Sequence, residues 1–319
     1  MSATAMRADG SVRSEPADRP EQTRARYPDE TGVIERDGVR VAWERYGDGS
    51  PTILLMPTWS IIHSRLWKQQ IPDLARRHRV IAFDGRGNGR SARPPTAEAY
   101  AEAEFAADAL AVMDATSTER AVVITLSMGA QRGLLLASDH ADRVAGMVFI
   151  GPSLALQPRA PDREAVNEFL EPPVSDEGWA KYNAHSWRRD YRGFLEFFFS
   201  QCFSEAHSTK PIEDAVGWGL ETDPETLILT ELAPGIGDRD AILARCARVT
   251  CPVLVIHGGD DRITPHARGE ALARATRGRL VTIEGGGHIP NARDPVKVNL
   301  AIRDFVGRLE RLERLGRSS

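Results

Sequence analysis

Cysteine is scarce in this chain, with three among 319 residues. Cys202, Cys246 and Cys251 form no CxxC pair, which excludes a disulfide-stapled scaffold and a zinc or redox site of that spacing, and they point to a reducing compartment. Long hydrophobic runs are also missing. Nothing approaches the roughly 20 apolar residues that a membrane span needs, so no membrane association is expected. Neither sign of charge dominates, because 41 basic side chains face 45 acidic ones for a net charge of −4. That balance leaves no basic footprint for nucleic acid and no polybasic patch for a lipid surface. The first 28 residues are rich in Ala, Arg, Ser, Pro and acidic groups without the apolar core of a signal peptide, so 1–30 reads as a disordered tail and the cytoplasm as the expected location.

What is present is a rhythm of short apolar runs alternating with helical stretches. Two strands are expected across the turn dipeptide Asp37-Gly38, then PTILLMP (51–57), a helix around Leu66–Arg77, and RVIAFD (79–84). The alternation goes on with a helix near Tyr100–Ala115, AVVITL (121–126), a helix over Ser127–His140 and VAGMVFI (144–150). Strands that are apolar without alternation fit a parallel sheet covered on both faces, so the class is α/β. The rhythm breaks after Pro152 for helical segments without a convincing strand, and resumes with PVLVIHG (252–258), a helix after Pro265, RLVTIEG (279–285) and a closing helix from Pro295. This divides the chain into a core at 31–153, an inserted helical cap at 154–237 and the rest of the core at 238–319. Aromatic residues are few overall, at 7%. Ten of the 21 nevertheless fall between Trp179 and Trp218, inside the cap, which implies a largely apolar pocket beneath it.

Three short segments carry chemistry. In Thr125-Leu126-Ser127-Met128-Gly129 a buried strand meets a helix through a serine flanked by small residues. A sharp turn of this kind lifts the hydroxyl clear of the sheet, although serine is also a common helix N-cap and Thr125 stands where glycine is usual. Asp261, within Gly258-Gly259-Asp260-Asp261-Arg262-Ile263-Thr264-Pro265, is placed to orient a histidine, with Asp260 as runner-up. His288 follows three glycines at a strand exit, so its loop can reach across to the serine. The other seven histidines read as surface, cap or packing residues.

The chain order Ser127, Asp261, His288, with the cap between the first two, resembles the α/β-hydrolase fold family from about residue 31 onward. Asp84-Gly85-Arg86-Gly87-Asn88-Gly89-Arg90-Ser91 resembles that family's structural turn after the fourth strand and lacks the spacing of a dinucleotide loop. The resemblance implies a mostly parallel sheet flanked by helices, and a serine nucleophile needing no metal and no cofactor. It also implies oxyanion donors at the Met128 N–H and in the loop after Met56. There Pro57 has no N–H, so Thr58 comes first, with Trp59 and Met56 behind it. His63, Trp187, Phe198 and Trp218 are the candidates for lining the pocket. A PTWS-type loop like Pro57–Ser60 resembles that of capped haloalkane dehalogenases and of other bacterial hydrolases, but the dehalogenases and epoxide hydrolases use an aspartate nucleophile. The expected reaction is hydrolysis of a carboxylic ester or lactone of a small, apolar or bulky molecule. Carbon–carbon hydrolysis, thioester cleavage, a lyase or cyclase reaction and a non-catalytic ligand sensor stay open on the same residues.

Overall fold

A computed structural model of the protein describes residues 24–158 and 169–316. The chain opens on a hairpin, β1 (Glu30–Arg36) and β2 (Val39–Tyr46), turning through Asp37 and Gly38 at φ of 52° and 75°, as a type I′ turn requires. Six further strands follow: β3 (Ile53–Leu55), β4 (Val80–Phe83), β5 (Ala121–Leu126), β6 (Val144–Ile150), β7 (Val253–Gly258) and β8 (Arg279–Ile283). They form one sheet in the order β1-β2-β4-β3-β5-β6-β7-β8, antiparallel through β1, β2 and β4 and parallel from β4 onward. Most of the expected N-terminal tail lies outside the described residues. From Arg24 onward the chain is held, because that guanidinium bonds the Glu44 carboxylate at 2.9 Å and the Tyr46 hydroxyl at 2.8 Å.

Successive strand residues face opposite sides of a sheet, and here both sides are buried. Val122, Ile124 and Leu126 enter one core, which the C-terminal helix Pro295–Gly316 covers with Val298, Ile302, Phe305 and Leu309. Val123 enters the other, beneath helices Glu102–Ala115, Gly129–Asp139, Arg239–Arg248 and His266–Thr276. Between β6 and β7 the described residues hold no strand. They hold a 3-10 turn and the helices Ala184–Arg189, Tyr191–Cys202, Thr209–Gly219 and Pro224–Glu231, after which Arg239–Arg248 returns to the sheet.

The helix expected over Leu66–Arg77 is not continuous. It is a 3-10 turn, Ser64–Trp67, followed by a single α-turn, Ile71–Leu74. Pro72 accounts for the break: in the first turn of Ile71–Leu74 its missing N–H costs nothing, whereas inside a longer helix it would remove a bond to the preceding turn and crowd the carbonyl four residues back.

Candidate active site

Ser127 lies between the end of β5 and helix Gly129–Asp139 with φ of +51°, a conformation that costs a serine energy and is held by its surroundings. Its N–H donates to the Ile150 carbonyl at 3.0 Å, and its own carbonyl accepts from Ser153 and Ala130, each at 3.0 Å. The close approach of helix and loop explains Gly129, where a Cβ would come within 2.8 Å of the Pro57 carbonyl oxygen. It also shows how Thr125 is tolerated in place of a glycine. The methyl group of Thr125 occupies space left open by Gly133 one turn further on, where a Cβ would lie only 2.6 Å from it.

The three residues picked out along the sequence meet in space. Ser127 Oγ is 2.8 Å from His288 Nε2, and His288 Nδ1 is 2.8 Å from Asp261 Oδ2. Asp261 extends from the loop after β7 with its side chain wholly enclosed. Its Oδ2 also accepts from Thr264 Oγ1 at 2.9 Å, and its Oδ1 from the Ile263 and Thr264 N–H groups at 2.8 Å each. Burial alone raises a carboxyl's pKa, but the His288 charge and the hydrogen bonds outweigh it and hold Asp261 well below its ordinary 3.8. The carboxylate therefore stays ionised beside the ring it orients. Asp260, by contrast, is exposed and engaged through its backbone alone, as donor to Gly286 and acceptor from Ser204.

A fourth member was missed by sequence reasoning, which read His257 as packing. Its Nε2 lies 3.0 Å from Asp261 Oδ2 and 2.9 Å from the Thr264 carbonyl, both acceptors, so Nε2 carries the proton. A histidine four residues before the acid and at the end of the same strand was the available signal.

The loop after β3 is held by charge. Arg132, on the second turn of helix Gly129–Asp139 and 1% exposed, donates from Nη1 to the Pro57 carbonyl at 3.2 Å and also to the Thr58 carbonyl. In a planar trans peptide the carbonyl and the following N–H point in opposite directions, so Arg132 turns the Thr58 and Trp59 N–H groups away from itself. Its charge is balanced by buried Glu102 at 2.7 Å; burial pushes that carboxyl's pKa up and Arg132 pulls it back. The turn at 84–91 braces the rest of the loop: Asp84 accepts from Ser64, and Asn88 donates to the Ser60 carbonyl at 2.9 Å. Met128 caps helix Gly129–Asp139, where backbone N–H groups lack intrahelical partners.

The four expected pocket residues divide. Phe198 packs edge-on against Trp59 with ring centroids 5.4 Å apart, and Trp218 borders a cavity at the seam of core and cap. Trp187 is instead fully enclosed, 4.6 Å from the ring of Phe194, because a large aromatic ring is what binds these short cap helices together. His63 is also buried, with its Nε2 3.1 Å from Arg65 and 3.3 Å from Glu221, so it joins core and cap as part of a polar clasp. The cap in turn grips the histidine loop. The Cys202 carbonyl accepts from the His288 N–H at 2.9 Å and Glu205 from the Gly287 N–H at 2.7 Å. Among the described residues no group of three or more His, Cys, Asp or Glu side chains could hold a metal ion, and no helix is long and apolar enough to cross a membrane.

Residues 51–295 match the sequence pattern of the alpha/beta hydrolase fold. The chain belongs to this family. Among its relatives, RutD of Variovorax paradoxus, provisionally named a carbamate hydrolase, is 26% identical over 285 residues, covering 84% of this chain and 96% of its own. The rhodomycin D methylesterase DauP of Streptomyces sp. strain C5 is 28% identical over 284 residues, covering 81% of this chain and 92% of its own. Of solved structures, Est816, described as an N-acyl homoserine lactone degrading enzyme, superimposes with a TM-score of 0.70 at 25% identity over 86% of this chain and all of its own. This hydrolase-fold chain thus shares its architecture with proteins named for cleaving different carbonyl compounds.

Proposed function

We propose that the protein is a serine hydrolase of carboxylic esters or lactones, with Ser127 as nucleophile, His288 as general base and Asp261 as the group that orients and charges the histidine. The observation that carries this is the unbroken line from Ser127 Oγ through His288 to Asp261, with both contacts at 2.8 Å. His288 Nε2 takes the hydroxyl proton as Ser127 Oγ attacks the carbonyl carbon, and the Nδ1–H stays on the ring, donating to Asp261. The resulting oxyanion is held by the N–H groups of Met128 and Thr58, the second turned by Arg132 toward the side of its loop opposite the guanidinium. Trp59, next in line, is committed through its indole to the cap, donating to Thr230 Oγ1 at 2.8 Å. His288 then returns the proton to the departing alkoxide, and water, deprotonated by the same ring, releases the acyl group from Ser127.

The names of the methylesterase and of the lactone-degrading relative support this substrate class without choosing within it. A fluorophosphonate probe tests the nucleophile. It should label the wild-type protein stoichiometrically, label His288→Ala slowly and leave Ser127→Ala untouched; persistent labelling of Ser127→Ala sinks the assignment.

A further inference from the structure

A recess of about 240 Å³ lies at the seam between core and cap, and none of the triad residues lines it. Its walls are apolar: Ile62 and Leu66 from the core, Phe203 and Trp218 from the cap, and Ile289, the residue next to His288. Its polar lining is confined to Lys68, Gln69, Lys210 and Asp214. Asp214 is buried, with a side chain 3% exposed, and it meets Lys68 Nζ as well as Lys210 Nζ, the latter at 2.7 Å. Joining core to cap takes only the Lys68–Asp214 pair, for Lys210 stands on the same helix as Asp214, four residues before it. The second ammonium gives the lining two cations around one buried carboxylate, with Glu213 reaching Lys210 only from the solvent side. Glu213 approaches Lys210 only at 3.9 Å and is 63% exposed, so water and salt screen it. Each ammonium has three donors, and one carboxylate does not exhaust the six.

An apolar recess bearing surplus cationic donors is complementary to an amphipathic anion. We propose that it binds a short aliphatic carboxylate, with the alkyl chain against Leu66, Trp218 and Ile289 and the carboxylate between Lys68 and Lys210. The volume lies below the roughly 300–1,000 Å³ of sites for drug-sized ligands, which favours a small acid over a bulky one. Such an acid has two sources. It is either the product released from Ser127, a source that rests on the proposed hydrolase reading, or a separate effector.

Calorimetric titration of the full-length Ser127→Ala protein with sodium octanoate tests the site without relying on turnover. Saturable binding is expected, weakened roughly tenfold or more by an added Lys210→Glu change, which replaces a charge-assisted hydrogen bond by a repulsive contact. Lys210 is 65% exposed and Asp214 keeps its pairing with Lys68, so the fold should be retained, which an unchanged circular dichroism spectrum of the variant checks. Octanamide, neutral and of the same shape, should bind more weakly by a similar factor. Ala292→Leu, which fills the recess and keeps both lysines, should reduce octanoate binding as well. The proposal is overturned if octanoate does not bind, or if its affinity is unchanged by Lys210→Glu or by Ala292→Leu. With the wild-type protein and p-nitrophenyl butyrate, competitive inhibition by octanoate that Ala292→Leu relieves assigns the recess to the product acid, and non-competitive inhibition that the same change relieves assigns it to an effector. Failure of the nucleophile assignment in the probe experiment leaves the binding result standing on its own.

Discussion

Two loops bring the proposed catalytic groups together, and opposite parts of the molecule hold them. The backbone of the loop at Pro57–Ser64 is fixed from the core, through Arg132 on its carbonyls and through Asp84 and Asn88 on its far side, while its Trp59 and His63 side chains reach the cap. The His288 loop is oriented from the core at its ring, by Asp261, but at its backbone by the cap, through the Cys202 carbonyl and Glu205. Buried charge organises the first, and the second depends on where the cap sits. The contrast is one of backbone: the Pro57 and Thr58 carbonyls are bonded from the core, whereas the Gly287 and His288 N–H groups are bonded from the cap.

The largest expected effect lies on the core side of the histidine. Asp261→Asn should lower kcat by about 10⁴-fold, as loss of the orienting acid does in serine hydrolysis, and Asp260→Asn by less than about tenfold. Steady-state kinetics with one p-nitrophenyl ester decides, and equal effects would remove Asp261 from its role. Next comes the core's hold on the first loop. Arg132→Met leaves Glu102 buried and unpaired, so roughly 3–5 kcal/mol of stability should be lost. Adding Glu102→Gln should restore most of that in denaturant titrations while kcat stays down by about 10²–10³-fold, the usual cost of one oxyanion donor. Recovery of rate together with stability would make the pair purely structural.

The cap's hold should be worth less. Glu205→Ala removes one acceptor from the Gly287 N–H, and kcat should fall by roughly tenfold, on the scale of one charge-assisted hydrogen bond, with the melting temperature nearly unchanged. An effect as large as that of Arg132 would reverse the ranking of the two loops. The smallest effect concerns acid. Because the Asp261 pKa is lower in the folded state than its ordinary 3.8, the carboxylate contributes stability that is complete well above that pH and lost as the pH falls toward the depressed value. The stability difference between wild type and Asp261→Asn should therefore be constant near neutrality and shrink below about pH 4, as followed by urea unfolding across pH. A difference that grows with acid would contradict the sign of the shift.

Much of the core side is legible in the residues themselves. Ser127 stands out because strand, serine and helix are contiguous, and the order of serine, acid and histidine needs no coordinates. The cap side is far less legible. The Cys202 and Glu205 contacts to the His288 loop join residues more than 80 positions apart, and no local pattern encodes them. The aromatic cluster of the cap suggests Trp187 for a pocket and its place just after Thr58 suggests His63, yet an enclosed ring and a ring lining substrate have the same sequence signature. The Leu66–Arg77 stretch failed differently, because its apolar period outweighed Pro72 when the backbone cost of proline should have prevailed.

By itself the sequence determined the order of the strands and of most helices, and it singled out Ser127, Asp261 and His288. Those features follow from local backbone preferences and from the period at which apolar residues recur, both properties of neighbours along the chain. Only the tertiary structure decided that His257 shares Asp261 with His288, that Arg132 and Glu102 form a buried pair behind Thr58, and that Gly133 makes room for Thr125. Each of these is a contact whose energy depends on burial and distance, and none is defined until the helices have packed on the sheet and its strand ends have come together.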